Sequence, residues 1–170
     1  MRYNYCPDCG ERLIDKNIGD EGMIPFCEKC SRPWFDGFYT CILAAVVNEF
    51  GEVALIRQGY VSTEYCVGVA GHIKCGETAE TAAAREVMEE IGLVPESVKF
   101  IQSSWYEKKG MLMLGFRVNV KKGSLTPSCE VDSADWYSPE EALKALRPGS
   151  DIQRLVSAAI NYPEKEVCAK

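Results

Sequence analysis

The sequence predicts an α+β domain preceded by a small cysteine-bearing module. Three observations carry that expectation. Short β-branched apolar runs recur between turn-forming residues from position 38 onward. Three segments with helical capping patterns interrupt or follow them. Residues 1–36 hold two Cys-x-x-Cys pairs and no long apolar run.

The elements follow in chain order. YTCILAAVV (39–47) and EVALIRQ (52–58) flank the turn-like NEFG and read as a hairpin. YCVGVAGHI (65–73) reads as a further strand. A helix is expected over Ala79–Ile91, with Thr78 as N-cap and Gly92 to end it. Residues 97–107 and 111–120 form a second hairpin around Lys108-Lys109-Gly110, with Phe116 expected in the core. Residues 131–137 form a short strand whose Trp136 is also expected in the core. Ser138-Pro139-Glu140-Glu141 has a capping-box pattern with Pro at the first helical position. Ser150 caps a last helix beginning at Asp151. Residues 1–36 are therefore one module, 37–163 the main domain, and 164–170 a loose tail.

The chain has 170 residues and a net charge of -6. That charge argues against a general nucleic-acid binder, which carries a basic patch or stripe. No stretch reaches the roughly 18 apolar residues of a membrane helix, and the N-terminus has no apolar signal core. The expectation is a cytoplasmic protein without a membrane partner. A disulfide framework is then unexpected for its nine cysteines.

Cys6, Cys9, Cys27 and Cys30 form two knuckles separated by 17 residues. Four thiolates at such spacing suit tetrahedral Zn²⁺ in a closed, structural site.

Glu86, Glu89 and Glu90 pose a different problem. At about 100° per residue they share an arc of roughly 100° on the helix. Val87, Ile91 and Ala84 form the adjacent apolar face, so the acidic stripe borders the buried side. Like charges at this spacing repel. Hard cations such as Mg²⁺ or Mn²⁺ relieve the repulsion, taking carboxylate oxygens and leaving room for phosphates. A solvated acidic helix is the alternative reading of the three glutamates alone.

The preceding loop adds Gly71, Gly76 and Glu77, and Arg85 precedes Glu86. Gly71, Glu77 and Arg85-Glu86-Val87-Met88-Glu89-Glu90-Ile91-Gly92-Leu93 resemble a complete Nudix box. The resemblance implies a mixed β-sheet sandwiched between helices. It implies hydrolysis of a diphosphate in a nucleoside diphosphate linked to X. It makes Glu86, Glu89 and Glu90 the Mg²⁺ or Mn²⁺ ligands and Glu86 or Glu89 the base. Glu77 and Arg85 then pair to orient the catalytic glutamate, and Glu130 adds a later carboxylate.

A four-cysteine zinc ribbon ahead of such a domain is similar to the NADH pyrophosphatase subgroup of that family. The segments CEVDSADWYSPEEAL and PGSDIQRLVSAAI extend the likeness. The subgroup implies cleavage of a small-molecule dinucleotide, NAD(H), to NMN(H) and AMP by a homodimer. Trp105, Tyr65 and His72 are the expected substrate contacts, with Tyr106 a further aromatic candidate. ADP-ribose, another nucleotide sugar or an FAD-like compound, NAD-capped RNA, and a non-enzymatic nucleotide sensor are the competing readings.

Overall fold

The computed structural model describes residues 2–163, so the expected tail over 164–170 lies outside them. The chain divides into two compact units between Tyr39 and Thr40, three residues beyond the boundary expected from composition.

The first unit contains a three-stranded antiparallel sheet of β1 (Ile14–Asn17), β2 (Met23–Cys27) and β3 (Arg32–Pro33), in that order. None of these strands was expected. All four β1 residues are exposed, and β2 and β3 each contain a proline. Strands with so little burial leave no apolar alternation to read.

The second unit is built on β4 (Tyr39–Asn48), β5 (Val53–Arg57), β6 (Val69–His72), β7 (Pro95–Tyr106), β8 (Met111–Val120) and β9 (Ser133–Tyr137). The order is β7-β8-β4-β5-β9, with β6 also paired to β4. Three helices complete the unit: α1 (Ala79–Ile91), α2 (Pro139–Ala145) and α3 (Asp151–Ile160). The α+β expectation therefore holds.

Strand β4 explains the layering. Ile42, Ala44 and Val46 join the cluster that includes Val87 and Ile91 of α1. Leu43, Ala45 and Val47 join the cluster that includes Leu155 and Val156 of α3. A sheet covered on both faces needs a continuous apolar strand at its centre, and YTCILAAVV supplies it. Phe116 is fully buried in the α1-side cluster and meets Phe100 edge to face, with centroids 5.7 Å apart. Trp136 is only half-buried: its ring packs against that cluster while Nε1 donates to Gly123 O at 3.1 Å.

Strand β4 also opens the site. Its Val46 and Val47 pair with β5, whereas Cys41–Ala44 pair with β6. The chain between β5 and β6 must therefore swing across the gap between those registers. Residues 58–68 of that connection line a cleft of about 1400 Å³.

Candidate active site and cysteine centre

Helix α1 starts where the capping pattern predicts. Thr78 Oγ1 accepts from Thr81 N at 3.2 Å, and Thr81 Oγ1 accepts from Thr78 N at 2.9 Å. This reciprocal pair satisfies two of the otherwise orphan N–H groups at the helix start. At the other end Gly92 takes φ 73°, where a side chain is disfavoured, and donates its N–H to Met88 O.

The helix carries Arg85 into the centre of a carboxylate network. Arg85 Nε donates to Glu77 Oε1 at 2.6 Å and Nη2 to Glu77 Oε2 at 2.9 Å. Nη1 donates to Glu86 Oε1 at 2.7 Å and to Glu89 Oε2 at 2.9 Å. Nη2 also donates to His72 O at 3.0 Å, which ties the helix to the end of β6. The Lys74 N–H reaches Glu77 Oε2 at 2.9 Å. Arg85 first, and the Lys74 N–H second, hold the Glu77 carboxyl down at about 2.

Glu90 differs from its neighbours. It lies inside the buried arc of α1, with Ala82, Ala83, Val87 and Ile91, rather than bordering it as helical angles suggest. Ala82 and Ala83 are small enough to widen the packed face toward it, whereas Ala84 is only half-buried. Glu90 is 6% exposed, and its Oε2 has no hydrogen-bond partner among the described residues. Burial, reinforced by the charge of Glu86, pushes its carboxyl up to about 7.

Two features fit this site to a divalent cation. A buried carboxylate oxygen without a partner is costly unless something positive or hydrogen-bonding meets it. At Gly71, an added β-carbon would overlap the Glu86 carboxyl, so the missing side chain is what lets Glu86 lie against the β6 backbone. Oxygen-only donors of this kind suit Mg²⁺ or Mn²⁺.

Glu130 reaches the same cleft from the loop before β9. The loop is pinned to the end of α1: Thr126 N donates to Ile91 O at 2.9 Å and Ser128 N to Glu90 O at 3.0 Å. Asp132 Oδ2 accepts from Gly59 N at 2.6 Å and fixes the far side.

His72 and Tyr65 line the cleft, as does Tyr106. Trp105 does not; it stands half-exposed on β7, and its neighbour Tyr106 takes the cleft-facing place. Successive strand residues point to opposite faces, and the bulge between Phe100 and Gln102 fixes which one turns inward. Sequence reasoning missed Gln58, a buried polar residue on the cleft wall whose side chain lies close enough to Glu90 to favour its charged form. Nothing in the local pattern distinguishes it from a surface glutamine.

In the first unit, the ligand atoms of Cys6, Cys9, Cys27 and Cys30 all lie within 4.8 Å of one another. Cys6 and Cys30 sulfurs are 3.9 Å apart and those of Cys9 and Cys27 are 3.6 Å apart. A tetrahedron with metal–sulfur bonds near 2.3 Å has edges of about 3.8 Å, whereas a disulfide is about 2.05 Å. The Cys9 thiol, followed by burial, pushes Cys30 up to about 12, so four thiolates need a cation to coexist. Among the described residues, this is the group of potential ligands drawn so close together; Glu77, Glu86 and Glu89 are gathered on Arg85 instead.

The second unit is thus a mixed sheet between helices with a carboxylate-bearing helix on the wall of its cleft. A model of the NUDIX domain family matches residues 39–158, and the chain belongs to that family. Its sequence is 27% identical over 154 residues to the NAD-capped RNA hydrolase NudC of Photobacterium profundum, covering 90% of this chain and 56% of that protein. It is 26% identical over 163 residues to NudC of Escherichia coli O9:H4, covering 93% and 60%. The chain thus spans under two-thirds of these relatives' length. A Nudix hydrolase structure from Nitrosomonas europaea superposes with TM-score 0.70 at 18% identity, covering 94% of this chain and 90% of that one. The NUDIX domain of Shewanella oneidensis NrtR, complexed with ADP ribose, gives 0.62 at 15%, covering 79% and 91%.

Proposed function

We infer that the chain hydrolyses the diphosphate linkage of a nucleoside diphosphate linked to X. The favoured substrate is a dinucleotide such as NAD(H), giving NMN(H) and AMP. The observation that carries this reading is the buried, unpartnered oxygen of Glu90 beside Glu86 on the wall of a large cleft. The relatives' name makes NAD-capped RNA the second reading.

Glu86, Glu89, Glu90 and Glu130 would hold Mg²⁺ or Mn²⁺. When bound, such an ion neutralises phosphate oxygens and lowers the pKa of water. The protein's part is positioning and proton transfer. Arg85, fixed by Glu77, orients Glu86 and Glu89, and one of these takes the proton of the attacking water. The water oxygen bonds to one phosphorus, and the bridging oxygen leaves with the other phosphate. Tyr65, Tyr106 and His72 offer apolar and polar surface to a base or nicotinamide ring. Cys6, Cys9, Cys27 and Cys30 hold structural Zn²⁺, and the active species is a homodimer.

No helix among the described residues is long and apolar enough to cross a membrane. The test is AMP release with Mg²⁺ or Mn²⁺ from NADH, ADP-ribose, FAD and NAD-capped RNA, with a Glu89→Gln control. Metal-dependent AMP release that falls in the control supports the enzyme reading. No turnover anywhere in the panel overturns it; turnover of ADP-ribose but not NADH overturns only the dinucleotide assignment.

A further inference from the structure

Glu86, Glu89 and Glu90 of α1 are unequally supplied with positive charge. Glu90 has a buried oxygen with no partner among the described residues. Glu89 is met on both oxygens by cations of the chain itself: Arg85 Nη1 at 2.9 Å from Oε2 and Lys74 Nζ at 3.8 Å from Oε1.

The lysine is rooted rather than stray. Its backbone N–H donates to Glu77 Oε2, and Glu77 is doubly bonded to the same Arg85 that holds Glu89. The start of the Lys74 side chain is therefore fixed to the network whose outer carboxylate its ammonium faces. Lys74 also lines the cleft beside Glu86, Glu89 and Glu90.

We propose that Lys74 is a positioning residue that holds Glu89 back from divalent cations, so that the resting site loads metal through Glu86 and Glu90 and binds it at Glu89 only against the lysine's charge. An exposed ion pair at this distance is weak, so Lys74 tunes the site rather than blocking it. A cation approaching Glu89 displaces one ammonium contact and meets a like charge a few ångströms away, which lowers its affinity. Among the described residues, Glu90 faces no such competitor.

This inference rests on the reading that these carboxylates bind a divalent cation. The experiment measures equilibrium Mn²⁺ binding without substrate, by the EPR signal of free Mn²⁺. It compares wild type, Lys74→Gln, Lys74→Arg, Glu89→Gln and the Lys74→Gln/Glu89→Gln double variant, each checked for native circular dichroism. Lys74→Gln is expected to tighten binding about tenfold, or to add an equivalent of bound Mn²⁺, while Lys74→Arg binds like wild type. The gain must vanish in the double variant, because it acts through Glu89. An unchanged isotherm for Lys74→Gln overturns the inference, as does a gain that persists when Glu89 is also replaced. A wild type that binds no Mn²⁺ overturns the metal reading itself and this inference with it.

Discussion

Arg85 and Glu77 form a two-pronged ion pair, Nε to Oε1 at 2.6 Å and Nη2 to Oε2 at 2.9 Å. The planar guanidinium matches the carboxylate in a way an ammonium does not. With two of its nitrogens engaged by Glu77, Arg85 turns the third toward Glu86 and Glu89.

The pair has a pH signature. Glu77 is held down at about 2 in the folded protein, below its ordinary value near 4.3. A depressed carboxyl stabilises the fold above its unfolded value, and that stability is lost as pH falls from about 4.3 toward 2. Thermal unfolding across this window should show a steeper loss for wild type than for Glu77→Gln. Parallel curves would contradict the pairing.

Glu90 should respond in the opposite direction. In metal-free protein its carboxyl is raised to about 7, so between about 4.3 and 7 the folded state holds the proton longer than the unfolded one. Its contribution to stability then falls as pH rises through that window. Mg²⁺ should raise the melting temperature more at pH 8 than at pH 5, and Glu90→Gln should remove the difference. Equal shifts at both pH values would count against a cation at this carboxylate.

Gly71→Ala separates chemistry from stability. The new methyl overlaps the Glu86 carboxyl, which can swing aside at little cost to the fold. Displacing a catalytic group by about 1 Å costs on the order of 10²-fold in rate. The expected result is such a loss of kcat with a melting temperature close to wild type. Retained activity would mean that Glu86 works from another position.

The aromatic residues of β7 also divide. Tyr106→Ala removes a cleft wall and should raise KM for a dinucleotide, with about 1–3 kcal/mol of base stacking at stake. Trp105→Ala, outside the cleft lining, should leave KM nearly unchanged. Steady-state kinetics on both variants decides between them.

Cys27→Ser tests the other centre. Its thiol is buried and 3.6 Å from that of Cys9, and a closed four-thiolate site loses most of its affinity with one ligand gone. Zinc content by metal analysis should fall from about one equivalent per chain to a small fraction. Full zinc retention would exclude this set of ligands.

Adjacent residues alone specify the caps of α1, the continuous apolar run of β4 and the spacing of the four cysteines. Each is written in adjacent residues: Thr78 and Gly92 bracket their helix, and two Cys-x-x-Cys turns present paired thiols whatever surrounds them. The Glu77–Arg85 pair was expected from the resemblance to a Nudix box and not from spacing; the structure forms it. Tertiary structure decided the rest. Glu90 is buried because Ala82 and Ala83 let α1 settle closely on the sheet, which helical angles alone do not reveal. Tyr106 rather than Trp105 faces the cleft because a bulge at Phe100–Gln102 resets the alternation of β7. Gln58 and Glu130 meet the carboxylate-bearing helix α1 only because β4 changes partners and the 126–132 segment hydrogen-bonds to the end of α1. Local chemistry is carried by neighbours in sequence, whereas burial, strand phase and the meeting of distant loops depend on contacts that form only when the whole sheet is assembled.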